Sequence, residues 1–374
     1  MNMYLALREI RFAKTRYTLI MTIMLLVSFL VLFVTGLANG LAYANASSVE
    51  NMSANYFVVQ KDSNNRFTRS ILNHDQLAAV RSVVGDNGAM PLNIQMTTVT
   101  EGSATLKTDV TLFAVDMEGW LMPEVVEGER VTNDSVGQVI VDQQLMESGY
   151  AIGSTVRDQM TGMTWVISGF VKNESYSHTP VVYMNNMDWQ QLKQQSVING
   201  KVADQPTINT IAIKADSGQV QQLQDKLSGV EVISKGAAVS AIPGYKEEQS
   251  SLLMMIVFLY IISAFVLAVF FYVITIQKTS QFGILKAIGT NTGYLARSVI
   301  GQVLVLSVSS QVISLLLIEL VSSVIPEGLP FKLDMATIIL TCSLLVVMSL
   351  GGSLLSVIKV AKTDALDAIG RAAA

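Results

Sequence analysis

The only two histidines, His74 and His178, stand far apart in the chain, and the only cysteine, Cys342, lies inside an apolar run. A zinc protease helix needs two histidines flanking a glutamate in H-E-x-x-H, and a hydrolase elbow needs G-x-S-x-G; neither pattern occurs. No G-x-x-x-x-G-K-[ST] loop is present, so the chain has no phosphate cradle of that kind for ATP. One cysteine permits neither an intrachain disulfide nor a cysteine metal site. Glu319 is the one formal charge within the long apolar runs, and a single carboxylate supplies neither a nucleophile–base pair nor the paired charges of an ion-coupled carrier. The chain therefore reads as no enzyme: no catalytic residue, no metal site and no cofactor of its own.

Where chemistry is scarce, hydropathy carries the reading. Hydrophobic residues make up 51% of the chain and charged residues 14%. Four apolar runs stand out, Tyr17 to Leu41, Leu252 to Ile276, Val299 to Ile325 and Ala336 to Ile358. Each is long enough, at about 1.5 Å per helical residue, to cross a hydrocarbon layer of about 30 Å. Ala42-Tyr43-Ala44 has the small-x-small form of a signal cleavage site, yet the apolar stretch before it is longer than the ~7–15 residues of a signal core. The first run is accordingly read as a retained span. The predicted architecture is an α-helical membrane protein with four transmembrane helices in a one-plus-three arrangement and an α+β extracellular domain between helices 1 and 2.

Basic residues set the orientation. The segments 1–16, 277–297 and 359–374 carry ten Lys or Arg against three Asp or Glu, whereas 43–250 carries fourteen against twenty-three. The positive-inside rule places the first three in the cytoplasm and the large segment outside. The chain then divides into a cytoplasmic N-terminal segment (1–16), span 1 (17–42), an extracellular domain with stalk helices (43–250), span 2 (251–276), a cytoplasmic loop (277–297), span 3 (298–325), an outer loop (326–334), span 4 (335–358) and a cytoplasmic tail (359–374).

Within the outer segment, alternation and turn residues predict strands over 55–60, 138–142, 153–157, 163–171, 179–184, 209–214 and 230–234. Helices are expected over 75–84, 187–195 and 217–227, with a helical turn at 144–148. The Gln- and Asn-rich stretch 194–205 reads as a flexible insertion. In span 1, Gly36, Gly40 and Ala44 form a ridge of small residues, which suits either close self-association of two chains or ordinary packing within one. In the cytoplasmic loop, Phe282, Leu285 and Ile288 recur every three residues, Lys286 lies off that face and Gly289 is a natural helix stop. A helix lying on the inner membrane surface and a helix docked on a separate, energy-supplying protein fit that pattern equally.

Several stretches carry a resemblance. "QFGILKAIG" (Gln281 to Gly289) resembles the hallmark loop motif of the FtsX/MacB permease superfamily, and "KTDALDAIG" (Lys362 to Gly370) is similar to its terminal motif, with Ala365 where a proline is usual. "VIVDQQLMESGYAIGSTV" followed by "TWVISGFV" resembles the superfamily's periplasmic core. The segments Arg8 to Met21, Gly36 to Ala42, Asn173 to His178 and Phe270 to Gly289 are similar to its haem-exporting branch in Gram-positive bacteria.

The resemblance implies a homodimeric permease in the cell membrane, with two copies of a cytoplasmic ABC ATPase that binds the ATP. It implies mechanotransmission: ATPase closure moves the coupling residues Phe282, Gly283, Ile284, Leu285, Lys286, Ala287, Ile288 and Gly289, and stalk helices pass the motion outward. Haem is the implied transported ligand, and Tyr, His and Met can serve as axial ligands to its iron. Candidates near the outer ends of spans 1 and 2 are Tyr43, Glu50, Met52, Tyr245 and Met255, with Tyr176 and His178 in the loop that carries the branch resemblance. Export of amphipathic peptides or lipophilic antibiotics is an alternative, as is a non-transporting regulator of cell-wall hydrolases.

Overall fold

The computed structural model describes residues 14–102, 107–196, 207–324 and 330–361. The terminal motif from Lys362 and most of the 194–205 stretch lie outside the described residues. The chain forms two compact units, one of Leu41–Gln249 and one that joins Met1–Gly40 to Ser250–Ala374. The first helix, α1 (Lys14–Glu50), has no proline and runs for 37 residues, about 55 Å at the helical rise and well beyond the thickness of a hydrocarbon layer.

The outer unit contains β1 (Tyr56–Gln60), α2 (His74–Val84), β2 (Ala89–Glu101), β3 (Lys107–Ala114), β4 (Glu127–Gly128), β5 (Gln138–Asp142), α3 (Gln144–Glu147), β6 (Thr155–Asp158), β7 (Thr164–Val171), β8 (Ser175–Tyr176), β9 (Thr179–Met184), α4 (Asn186–Ser196), β10 (Thr210–Ile213), α5 (Ser217–Lys226), β11 (Val230–Ser234) and α6 (Lys235–Ser240). Capping boxes start α2 (Asn73 with Gln76) and α5 (Asp216 with Gln219), each N-cap worth about 1 kcal/mol. The strands form one mixed sheet in the order β11-β1-β10-β2-β3-β9-β5-β7-β4, with β6 beside β2 and β7, and β8 beside β9.

The longest strand, β2, is among those the alternation does not predict. Pro91 and the buried Asn93 interrupt the apolar rhythm of β2, and the adjacent β3 packs its last five residues fully inside. Asn93 is satisfied by the Asn209 amide, 3.1 Å away. β2 pairs with β10 at its start and with β3 and β6 further on. It thereby joins the core under α2 and α5, around Leu77, Val80 and Leu223, to the cores around Phe113 and Trp165.

The second unit holds α7 (Tyr245–Gln277), which begins in the outer unit, then α8 (Thr279–Ala287), α9 (Thr292–Ser322) and α10 (Met335–Ala361). Together with α1, the three long helices are long and apolar enough to cross a membrane. Hydroxyl and amide side chains stitch them together. Ser310 and Ser314 on α9 donate to the carbonyls of Met21 (3.3 Å) and Leu25 (2.9 Å) on α1. Gln311 donates to the Cys342 carbonyl and Tyr260 to Thr341. Such bonds contribute about 0.6 kcal/mol each in a membrane. At Gly352 of α10 a Cβ would stand 2.9 Å from the Ala268 Cα of α7, so these two helices need a glycine to approach so closely.

The small ridge of span 1 has an occupant within its own chain. A Cβ at Gly40 would overlap the Pro330 carbonyl and one at Gly36 the Phe331 ring, while Lys332 N–H donates to the Gly36 carbonyl at 3.0 Å. Asn39 reaches Thr337 at 3.4 Å. Loop residues 330–333 of the same chain thus occupy the groove beside Gly36 and Gly40; Ala44, half-buried, belongs to the outer unit. Replacing Gly40 by leucine should destabilise the full-length protein by about 1–3 kcal/mol through overpacking, read as a lowered midpoint of thermal unfolding in detergent; an unchanged midpoint would contradict this packing.

Candidate functional site

The last turns of α1 enter the core of the outer unit. Ala46 and Val49 are wholly buried there, and the polar residues between them face the segment 173–178. Ser47 Oγ accepts from the Ser175 amide (2.9 Å), Ser48 Oγ donates to the Ser175 carbonyl (2.8 Å), and the Ser177 amide donates to the Asn45 carbonyl (2.7 Å). Asn51 donates to the Asn173 carbonyl at 2.9 Å and to Glu174 Oε1 at 3.0 Å. Glu248, in the first turn of α7, accepts from Asn45 Nδ2 (2.8 Å) and lies 2.9 Å from His178 Nε2. One short segment thus laces the end of α1 to the start of α7.

Its shape has a local cause. Ser177 and His178 are the two residues between β8 and β9, both with φ near +60°, the arrangement of a type I′ hairpin turn. Residues other than glycine and asparagine are disfavoured there, and the bonds to Asn45, Pro243 and Glu248 hold the pair in place.

Beneath the turn sits a buried carboxyl. Glu174 is 3% exposed and accepts from the Tyr183 hydroxyl at 2.6 Å, and its own amide donates to Asp142 Oδ2 at 2.7 Å. Burial pushes the Glu174 carboxyl up to about 7, against the lowering effect of the Tyr183 and Asn51 hydrogen bonds and with a further rise from the Asp142 charge. Burial also raises Asp142 and the Tyr183 phenol.

The sequence-derived ligand candidates separate by burial. Tyr176 is 1% exposed and edge-on to Phe113 in the core, so its phenol faces protein. Met52 is likewise a core residue, 6% exposed. Both burials have one cause: the chain turns inward after Glu50 and strand β8 points Tyr176 at the sheet. Tyr43 and Tyr245 are half-buried, Glu50 is exposed, and the Glu50 carboxylate lies within electrostatic reach of both phenols. His178 is open to solvent on one side and held by Glu248 on the other. Met255 is exposed on α7, in the second unit. Among the described residues no group of three or more His, Cys, Asp or Glu could hold a metal ion.

The coupling residues also resolve into faces. Helix α8 ends at Ala287, and Gly289 at φ +92° terminates the turn. Phe282 and Gly283 are buried against the spans and Leu285 packs beside them, whereas Ile284 is exposed and Ile288, past the helix end, is 75% exposed. The face expected at 282, 285 and 288 is therefore split: Phe282 and Leu285 hold the helix to its own bundle, and Gln281, Ile284 and Ile288 point away from it. Lys286 is half-buried and Ala287 exposed.

Asn45, Ser47, Ser48 and Asn51 escape a motif search because short polar side chains after a span look like an ordinary linker. The spacing of Asn45, Ser48 and Asn51 on one helical face is the available signal.

Two family models match, the MacB-like periplasmic core domain over residues 18–230 and the FtsX-like permease C-terminal domain over residues 253–365. The chain belongs to the FtsX/MacB family of ABC transporter permeases. This permease is 33% identical over 368 residues to HrtB of Staphylococcus epidermidis, a permease named for a hemin transport system, with 98% of this chain and 99% of that one covered. It is 31% identical over 373 residues to the HrtB of Staphylococcus haemolyticus, again with 98% and 99% covered. Among solved structures, the extracellular domain of the ABC-type transporter YknZ from Gram-positive bacteria aligns with 48% of the permease and 99% of its own chain, at 14% identity and a TM-score of 0.34.

The raised Glu174 fixes the sign of a pH effect. The folded state holds the proton more tightly than the unfolded chain, so stability from this group is present at low pH and is lost as pH rises from about 4.5 through about 7. Between pH 5.5 and 8 the loss is about 2 kcal/mol. All three tryptophans, Trp120, Trp165 and Trp189, belong to the outer unit, so their fluorescence in full-length protein reports that unit's unfolding by urea. The urea midpoint should fall over this range in the wild type, and Glu174→Gln should remove most of the fall.

Proposed function

We propose that this permease is the membrane subunit of an ATP-driven efflux pump of the mechanotransmission type that removes haem from the membrane. The observation that carries the reading is the likeness, from end to end of both chains, to proteins named for hemin transport. As an ABC transporter permease it works with a cytoplasmic ATPase, and the lack of a P-loop in its own sequence agrees with that division of labour. In our reading two copies of the permease pair with two ATPase subunits. Both termini and α8 lie in the cytoplasm, as the basic flanks favour, and the outer unit lies outside the cell.

Haem is an apolar disc with an iron that accepts a phenolate, imidazole or thioether and with two propionates. Tyr43, Tyr245, Glu50, His178 and Met255 are the ligand candidates that remain accessible. Tyr43 already donates to Asn51 at 2.9 Å, so binding of iron there requires that bond to exchange. Haemin titrated into the purified permease with its ATPase should give a Soret band that weakens or shifts in Tyr245→Phe or Tyr43→Phe and stays unchanged in Tyr176→Phe. A Soret band insensitive to all three would remove the phenols from the site, and no haemin binding at all would sink the haem reading.

ATPase docking is assigned to the outward face of α8. Ile284→Asp or Ile288→Asp should reduce co-purification of the ATPase at least about tenfold, the scale of an interface hot spot, with the permease still folded. Co-purification at wild-type level would move the docking surface elsewhere.

A further inference from the structure

At the foot of the second unit, three helices meet at one side chain. Lys278 is the residue between α7 and α8, and only 5% of it is exposed. Its ammonium donates to Tyr17 Oη at 2.6 Å and to Gln302 Oε1 at 3.1 Å, and Tyr17 Oη donates to the same Gln302 oxygen at 2.9 Å. Tyr17 lies in the first turns of α1, Gln302 in the lower part of α9. Lys278 Nζ also stands 5.2 Å from the centre of the Tyr17 ring. Four residues on, Phe282 of α8 is buried against Tyr17, Phe271 and Val299, and the cavity left among these side chains is about 20 Å³, room for about one water.

A buried ammonium is costly unless hydrogen-bonded, and an ionisable residue at the edge of a span is most often a snorkelling group that reaches for water. Lys278 does the opposite. It turns inward and bonds to a side chain on each neighbouring helix, where a leucine would have filled the space with less desolvation. What the ammonium adds over a leucine is direction: charge-assisted bonds that resist separation of α1 from the α7–α8 joint.

We infer that Lys278 is a positioning residue that makes α1 follow the coupling helix. Displacement of α8 by the ATPase moves the Lys278 joint, the joint pulls on Tyr17, and α1, unbroken from Lys14 to Glu50, carries the motion to the residues that enter the outer unit. Phe282 supplies contact under compression; Lys278 with Tyr17 and Gln302 supplies it under tension. The inference rests on α8 being the element the ATPase drives.

Hydrogen–deuterium exchange on the full permease–ATPase complex in nanodiscs, with and without ATP, separates the two ideas. In the wild type, ATP should change exchange both in peptides covering 279–287 and in peptides covering 41–50. In Lys278→Met and in the milder Tyr17→Phe, the response at 279–287 should persist with ATPase co-purification within about twofold of wild type, while the response at 41–50 falls to less than about a third. Lys278→Arg should restore it. Transmission at wild-type amplitude in both Lys278→Met and Tyr17→Phe would overturn the role of Lys278 and leave the coupling reading standing. Absence of any ATP response at 279–287 in the wild type would overturn both.

Discussion

Both helices that connect the two units leave apolar surroundings partway along their length, and the polar groups they bury beyond that point need partners in folded protein. The structure depends on how this is met. At the end of α1 the requirement falls on Asn45, Ser47, Ser48 and Asn51, and at the start of α7 on Glu248. All of them are answered by the single segment 173–178 and its neighbours, which explains why a strained Ser177-His178 turn is retained where glycine or asparagine would be easier. Inside the bundle the same rule is met by serine and glutamine side chains bonding to carbonyls of adjacent helices.

This economy bears on function. In the mechanotransmission reading proposed above, what the permease contributes to an ABC transporter is shape and the passage of force. Mechanotransmission as proposed above needs contacts that hold in tension as well as in compression. Apolar packing such as Phe282 against Val299 resists a push, and directional bonds such as those at Lys278 and at the Asn45–Glu248–His178 cluster resist a pull. The second kind is found at both ends of the apolar part of α1.

The spans, the outer unit between the first and second, and most strands were legible because hydropathy and alternation are averaged over many residues. β2 and β3 were not, since Pro91 and Asn93 break the pattern and a long-range partner, Asn209, repairs it. Individual site residues were harder still. Tyr176 and Met52 have the right chemistry in the right stretch, but whether a side chain meets solvent or core depends on where the chain turns after Glu50, which no local period encodes. On α8, both 282-285-288 and 281-284-288 are plausible faces of a nine-residue helix, and only the packing of Phe282 against the spans selects between them. The Gly36 and Gly40 ridge announced a close approach without naming the partner, a loop some three hundred residues away in sequence.

Strand β2 belongs to more than one core, ending its run beside β6 after beginning it beside β10. Neither half of the outer unit can be trimmed away as a separable module, because excising one would strip the other of a central rung of its ladder. A load arriving at any corner of this unit is consequently borne by the whole of it, which suits the rigid displacement that the proposed mechanotransmission asks of it.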